Sequence, residues 1–163
     1  MGRIDKENYY LDIAETVLER STCLRRWYGA IIVKHDEIIA TGYNGAPRGR
    51  KNCADLGSCP REALNIPSGE RYELCRSVHA EANAIISAAR SDIIGGTLYL
   101  VGRDAKTGDL LSDATSCSMC RRLIINAGVE RVVIRCTPRE YRVVHVEDWV
   151  REDDSLPGAL TRL

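Results

Sequence analysis

Two short clusters of metal-ligating residues, His79-Ala80-Glu81 and Cys117-Ser118-Met119-Cys120, constrain this chain more than any other feature. One imidazole and two thiolates make three ligands for a tetrahedral zinc ion and leave the fourth position open to water. The ligands come from segments far apart in sequence, so the fold has to bring both segments to one point. A C-x-x-C pair alone would equally suit a structural zinc site or a redox dithiol. The glutamate two residues beyond the histidine favours the open, reactive arrangement, because it can reach the water without binding the metal.

Each cluster opens a segment with helical character. Ala80 to Ala89 is rich in helix formers and small residues. Ser118 to Ala127 reads the same way, with Gly128 as its stop. Ligands in first helical turns sit where the partial positive charge of the helix favours thiolate over thiol. The alanines allow two helices to approach one ion closely. An activated water beside a proton-carrying carboxylate is the equipment for hydrolytic deamination of a nucleobase.

The chain has 163 residues, 44% of them hydrophobic, which fits one domain with a full core. Lys and Arg number 23, as do Asp and Glu, so the formal net charge is zero. That speaks against a dedicated nucleic-acid surface or a polybasic membrane binder, while leaving room for a local basic pocket. No apolar run approaches the length of a membrane span, and the first residues resemble neither a signal peptide nor a myristoylation site, so the expected location is the cytosol. Seven cysteines are many for a reducing compartment, where metal binding is the better default than disulfides. Cys117 and Cys120 go to the metal, Cys23, Cys53, Cys59 and Cys75 form a set of four, and Cys136 is expected to be a buried thiol.

Along the chain, Asp5 is positioned to cap a helix running to about Glu19, with Tyr9, Ile13 and Val17 and their neighbours Tyr10, Ala14 and Leu18 facing inward. Tyr28 to Lys34 and Glu37 to Tyr43 read as antiparallel strands joined at His35-Asp36. His35 is then exposed and no ligand. Residues 45–76 are irregular and carry three cysteines. Thr97 to Val101 and Val129 to Ile134 read as strands, 103–114 as a hairpin-like excursion, and Val146 to Glu152 as a helix. Residues 1–154 are expected to form one domain and 155–163 a loose tail. The order implies an α/β fold with one mixed sheet, containing a parallel pair, and helices on both faces in three layers.

Four stretches now resemble a known family: Gly29-Ala30-Ile31-Ile32-Val33, Gly42-Tyr43-Asn44-Gly45-Ala46-Pro47-Arg48-Gly49, His79 to Ile85, and Cys117 to Cys120 with the helix that follows. The chain is similar to deoxycytidylate (dCMP) deaminases of the cytidine deaminase-like superfamily over about residues 9–135. The resemblance implies hydrolysis of dCMP to dUMP and ammonia, feeding thymidylate synthesis. It implies that His79, Cys117 and Cys120 bind the catalytic zinc and that Glu81 moves the protons. Asn44, whose other reading is a turn residue before Gly45, and Ala80 are then substrate contacts. Arg48 and the Arg25-Arg26 pair are candidates for phosphate or effector contacts, with a solvated basic surface as the other reading of each. The four remaining cysteines resemble a subset of the family, the bacterial late-competence deaminases, in which Cys23, Cys53, Cys59 and Cys75 would hold a second, structural zinc and clamp the long loop. Members are often homo-oligomers regulated by dCTP and dTTP, which would bring Mg2+ with a nucleotide effector.

Two positions depart from the family pattern. Ser116 stands where proline usually precedes the first cysteine, although serine still suits a helix cap. The excursion 103–114 lengthens the path from strand to metal-binding helix. These departures keep other substrates in view, including dCTP, cytidine and further cytosine-like rings. A non-catalytic reading is a zinc-stabilised nucleotide-binding or DNA-uptake module, which would have no need of Glu81.

Overall fold

The computed structural model describes residues 2–153, and the expected tail lies outside them. In order come α1 (Lys6–Leu18), β1 (Arg26–Lys34), β2 (Glu37–Tyr43), α2 (Cys53–Leu56), α3 (Pro60–Ala63), a 3-10 turn (Tyr72–Leu74), α4 (Ala80–Ile86), α5 (Arg90–Ile93), β3 (Thr97–Asp104), α6 (Ser118–Ala127), β4 (Arg131–Arg135), β5 (Tyr141–His145) and α7 (Val146–Arg151). The sheet order is β2-β1-β3-β4-β5. Among the described residues, β3 and β4 are the one parallel pair, joined through α6 as the strand-helix-strand order requires.

Alternation along the three central strands builds two cores. Ala30, Ile32, Leu98, Leu100, Val132 and Ile134 face one side, where residues of α4, α5, α6 and α7 cover them. Ile31, Val33, Tyr99, Val101 and Val133 face the other, under α1. Strands buried on both faces read as continuous apolar runs, as these do. The three-layer α/β/α arrangement is therefore present.

Two glycines set the layer spacing. A Cβ on Gly29 would lie 2.1 Å from the Ala14 carbonyl of α1, and one on Gly42 would lie 2.3 Å from the Ala80 carbonyl of α4. Each lets a helix backbone rest directly on a strand, and α4 carries the first metal-binding cluster.

Several details differ from the sequence expectation. Asp5 does cap α1, accepting the Asn8 N–H at 2.9 Å. Tyr10, Ala14 and Leu18 face inward as expected, joined by Asn8 and Leu11, and Ile13 and Val17 pack partly buried at the edge of the stripe, while Tyr9 is 49% exposed. The close approach at Gly29 turns α1 onto its Ala14 side. The irregular segment contains α2, α3 and the 3-10 turn, each too short for periodicity to reveal. The first metal-binding helix stops at Ile86, and β5 is an added edge strand. Cys136 is half-buried, its Sγ 3.7 Å from the Ile134 carbonyl. His35 is exposed in the turn, where His35 and Asp36 both have positive φ. The excursion folds back on β3 through a bridge between Arg103 and Leu110.

Candidate metal centre and nucleotide cavity

His79 and Cys117 are the N-caps of α4 and α6, and Cys120 lies in the first turn of α6. The two helices pack against each other on one face of the sheet, so their N-termini meet. His79 Nδ1 lies 3.5 Å from Cys117 Sγ and 3.4 Å from Cys120 Sγ. A tetrahedral zinc with ordinary Zn–N and Zn–S bonds sets such atoms about 3.5 Å apart, so the donor set fits the ion in both chemistry and spacing. Among the described residues, these three are the set of potential metal ligands that lie within 4.8 Å of one another.

The charges of the cluster also suit a cation. The Cys120 thiol hydrogen-bonds Cys117 and, with His79, draws it down to about 4, against the opposing effect of burial. The same contact and burial push Cys120 up. Burial pulls on the His79 imidazolium, but Cys117 and Cys75 outweigh it and push it up to about 10. The protons held there are the ones a divalent ion displaces on binding.

Glu81 is 4% exposed. Burial raises its carboxyl above the usual range, while its own backbone N–H, the Ser116 hydroxyl and His79 pull it back. A carboxyl shifted this way holds a proton more readily near neutral pH, as a proton carrier requires. Ser116 is buried, and Cys117 rather than Ser116 caps α6. The Ser116 Oγ lies toward Glu81 without a geometrically complete hydrogen bond of its own.

A cavity opens from this cluster. Its walls include Asn44, Arg25, Arg26, Tyr28 and Tyr72 beside His79, Glu81 and Cys117. Asn44 is 6% exposed, and its carboxamide is engaged with β1: Oδ1 accepts the Tyr28 N–H at 2.8 Å and Nδ2 donates to the Arg26 carbonyl at 2.9 Å. Arg25 pairs with Glu62 at 3.0 Å. Arg26 meets the Tyr28 hydroxyl at the cavity mouth. Arg48 is exposed after β2 and is not part of the cavity wall. Ala80 is fully buried at the start of α4.

Cys23, Cys53, Cys59 and Cys75 line the same cavity. Burial raises the Cys53 thiol, and Cys23, Cys59 and Cys75 raise it further by facing it. The four converge without forming a set at mutual ligand distance. The sequence reading missed Tyr28, Tyr72 and Thr115 as wall residues. Thr115 stands two positions before Cys117 and was within reach of a motif argument. Tyr72 depends on the path of the loop and carries no local signal. No helix among the described residues is long and apolar enough to cross a membrane.

Comparison with known proteins agrees with this geometry. Residues 4–136 match the family described as cytidine and deoxycytidylate deaminase zinc-binding region. A deoxycytidylate deaminase of Mycobacterium phage D29 is 38% identical over 138 residues, covering 82% of this chain and 96% of the phage protein. ComE operon protein 2 of Bacillus subtilis is 31% identical over 134 residues, covering 81% of this chain and 60% of that protein. The crystal structure of the cyanophage S-TIM5 dCMP deaminase in complex with dCMP and dUMP superposes with a TM-score of 0.57 at 29% identity, covering 82% of this chain and 84% of the other. The chain belongs to the cytidine and deoxycytidylate deaminase zinc-binding family.

Proposed function

We propose that this protein hydrolyses dCMP to dUMP and ammonia, supplying dUMP for thymidylate synthesis, and that residues 1–154 act as one catalytic domain. The observation that carries the reading is the buried Glu81 carboxyl beside the His79, Cys117 and Cys120 cluster, at the base of a cavity with arginine in its wall. The likeness to deoxycytidylate deaminases supports the choice of substrate.

His79, Cys117 and Cys120 would hold the zinc. When bound, the ion supplies Lewis acidity that brings the ionisation of water close to neutral pH. Glu81 takes a proton from the attacking water and passes it to the ring nitrogen N3 as the water oxygen bonds to C4. Glu81 then carries the second proton to the exocyclic amine, the C4–N bond breaks, and ammonia leaves. Arg26 at the cavity mouth receives the phosphate. Ala80, and Asn44 through the donor and acceptor capacity left after its two backbone bonds, contact the base and sugar. Nothing in the cavity supports the same role for Arg48.

Four further features belong to this reading. Cys23, Cys53, Cys59 and Cys75 close on a second, structural zinc, which their convergence around Cys53 supports. The protein is a cytosolic homo-oligomer, for which Ile86 of α4, 75% exposed, and Leu123 of α6, 42% exposed, offer apolar contact. dCTP and dTTP act as effectors, with Mg2+ accompanying the nucleotide. Zinc content then stands near two per chain in wild type and near one in Cys53→Ser.

The deciding experiment is ammonia release by zinc-loaded protein with dCMP, dCTP or cytidine, each with and without effector, beside a Glu81→Ala control. Turnover of dCMP that the control lacks is expected. Turnover of another member of the panel alone would move the substrate, and silence across the panel would favour a binding module.

A further inference from the structure

We infer that Tyr72, held in place by Arg61, is a positioning residue for the His79 imidazole. The inference rests on the metal centre proposed above and not on the identity of the substrate.

His79 sits at a loop-to-helix junction, where its side chain makes no capping hydrogen bond. Its Nδ1 must point at the two sulfurs, and a modest turn of the ring would carry the nitrogen off that direction. Tyr72 closes one side. The two rings meet edge to face, with centroids 5.0 Å apart and planes at 90°. That geometry is favoured by aromatic quadrupoles and restricts ring rotation.

Tyr72 is itself held. The Arg61 guanidinium lies 4.4 Å from its ring centroid, a cation–π contact on the ring. Arg61 is 6% exposed and immobilised by the chain around it: Nε donates to the Glu70 carbonyl at 3.1 Å and Nη2 to the Pro67 carbonyl at 3.3 Å. A column therefore runs from α3 through Arg61 and Tyr72 to a metal ligand. Cys59 is the N-cap of α3, and Cys75 ends the turn carrying Tyr72, its N–H donating to the Tyr72 carbonyl at 3.0 Å. The cysteine-rich loop thus builds a supporting wall for the catalytic ligand. Outer contacts to a metal-binding histidine orient the ring and tune its hold on the ion.

The test uses cobalt(II)-substituted protein, whose d–d absorption reports ligand geometry, with a Cys117→Ser difference spectrum to identify the bands of this centre. Tyr72→Phe keeps the ring and should match wild type in spectrum and metal affinity. Tyr72→Leu should alter the bands, weaken metal binding about 10–100-fold and lower kcat, with KM for dCMP changed no more than about threefold. A Tyr72→Leu protein with the wild-type spectrum and affinity overturns the inference. So does a Tyr72→Phe protein as damaged as the leucine variant, since the hydroxyl would then be the active group, and so does a rise in KM alone. If Tyr72→Leu does not fold, Arg61→Lys carries the test: a smaller change in the same bands is expected, and an unchanged spectrum overturns the column. If wild type fails to turn over dCMP, the proposed substrate falls while the spectra still decide the role of Tyr72.

Discussion

Asn44 accepts the backbone N–H of Tyr28 at 2.8 Å, so the asparagine of the Tyr-Asn-Gly segment is a clamp on β1 before it is anything else. Its other amide end donates to the Arg26 carbonyl, so one side chain satisfies both groups at the mouth of the cavity. Asn44→Ala should therefore destabilise the protein by about 1 kcal/mol, the low end of the cost of unpairing backbone groups, since both are only part-buried. Chemical denaturation beside steady-state kinetics separates the roles. Loss of stability with raised KM fits clamp and contact together, whereas raised KM at full stability leaves only the contact.

Glu81 is expected to be indispensable for chemistry and dispensable for assembly. Glu81→Gln keeps the shape but cannot carry protons, and ammonia release should fall by roughly 10²–10⁴-fold, the usual scale of general acid–base catalysis. Zinc content and the circular dichroism spectrum should be unchanged. Near-normal turnover would remove Glu81 from its assigned role.

Gly42 links the fold to the site. A methyl group there would meet the Ala80 carbonyl at 2.3 Å and the Ala84 nitrogen at 2.4 Å, both backbone atoms of α4. Gly42→Ala must displace the helix that begins at His79, at a cost of about 1–3 kcal/mol in overpacking. Thermal melts should show the loss, and kcat should fall with it. An alanine variant with wild-type melting and kinetics would mean that α4 adjusts without moving its ligand.

Acid should erase one stabilising contact selectively. The Tyr10 hydroxyl donates to the Asp36 carboxylate at 2.5 Å, tying α1 to the β1–β2 turn. This bond, then Lys6, holds the Asp36 carboxyl below its ordinary range, while burial and the Asp36 carboxylate push the Tyr10 hydroxyl up to about 12. A carboxyl lowered in the native state contributes stability above its unfolded pKa, near 3.9, and loses it as pH falls through the native value. Tyr10→Phe should melt below wild type at pH 7, with the gap narrowing below about pH 4. A gap independent of pH would assign the effect to the Asp36 carbonyl, 3.1 Å from the same hydroxyl.

Much of this protein was legible in its sequence because the informative patterns are local. The Asp5 cap, the His35-Asp36 turn, the stop at Gly128 and the parallel step from β3 to β4 follow from neighbouring residues and element order. The ligand spacings placed His79, Cys117 and Cys120 at helix starts for the same reason. β5 escaped notice because a five-residue edge strand, mostly exposed, has no clear alternation. α2 and α3 escaped because four residues cannot display a helical period.

By itself the sequence determined the family and the three-layer architecture and placed His79, Cys117 and Cys120 at helix starts, since all of these reside in short motifs and in the order of elements. Tertiary structure alone decided which face of α1 turns inward, because that depends on where Gly29 admits the helix backbone. It alone decided that Asn44 spends its amide on β1 and that Tyr72 stands against His79. The Asn44 contact follows from the register of the β1–β2 hairpin, and the Tyr72 contact from the path of a long loop that no periodicity or spacing along the chain encodes.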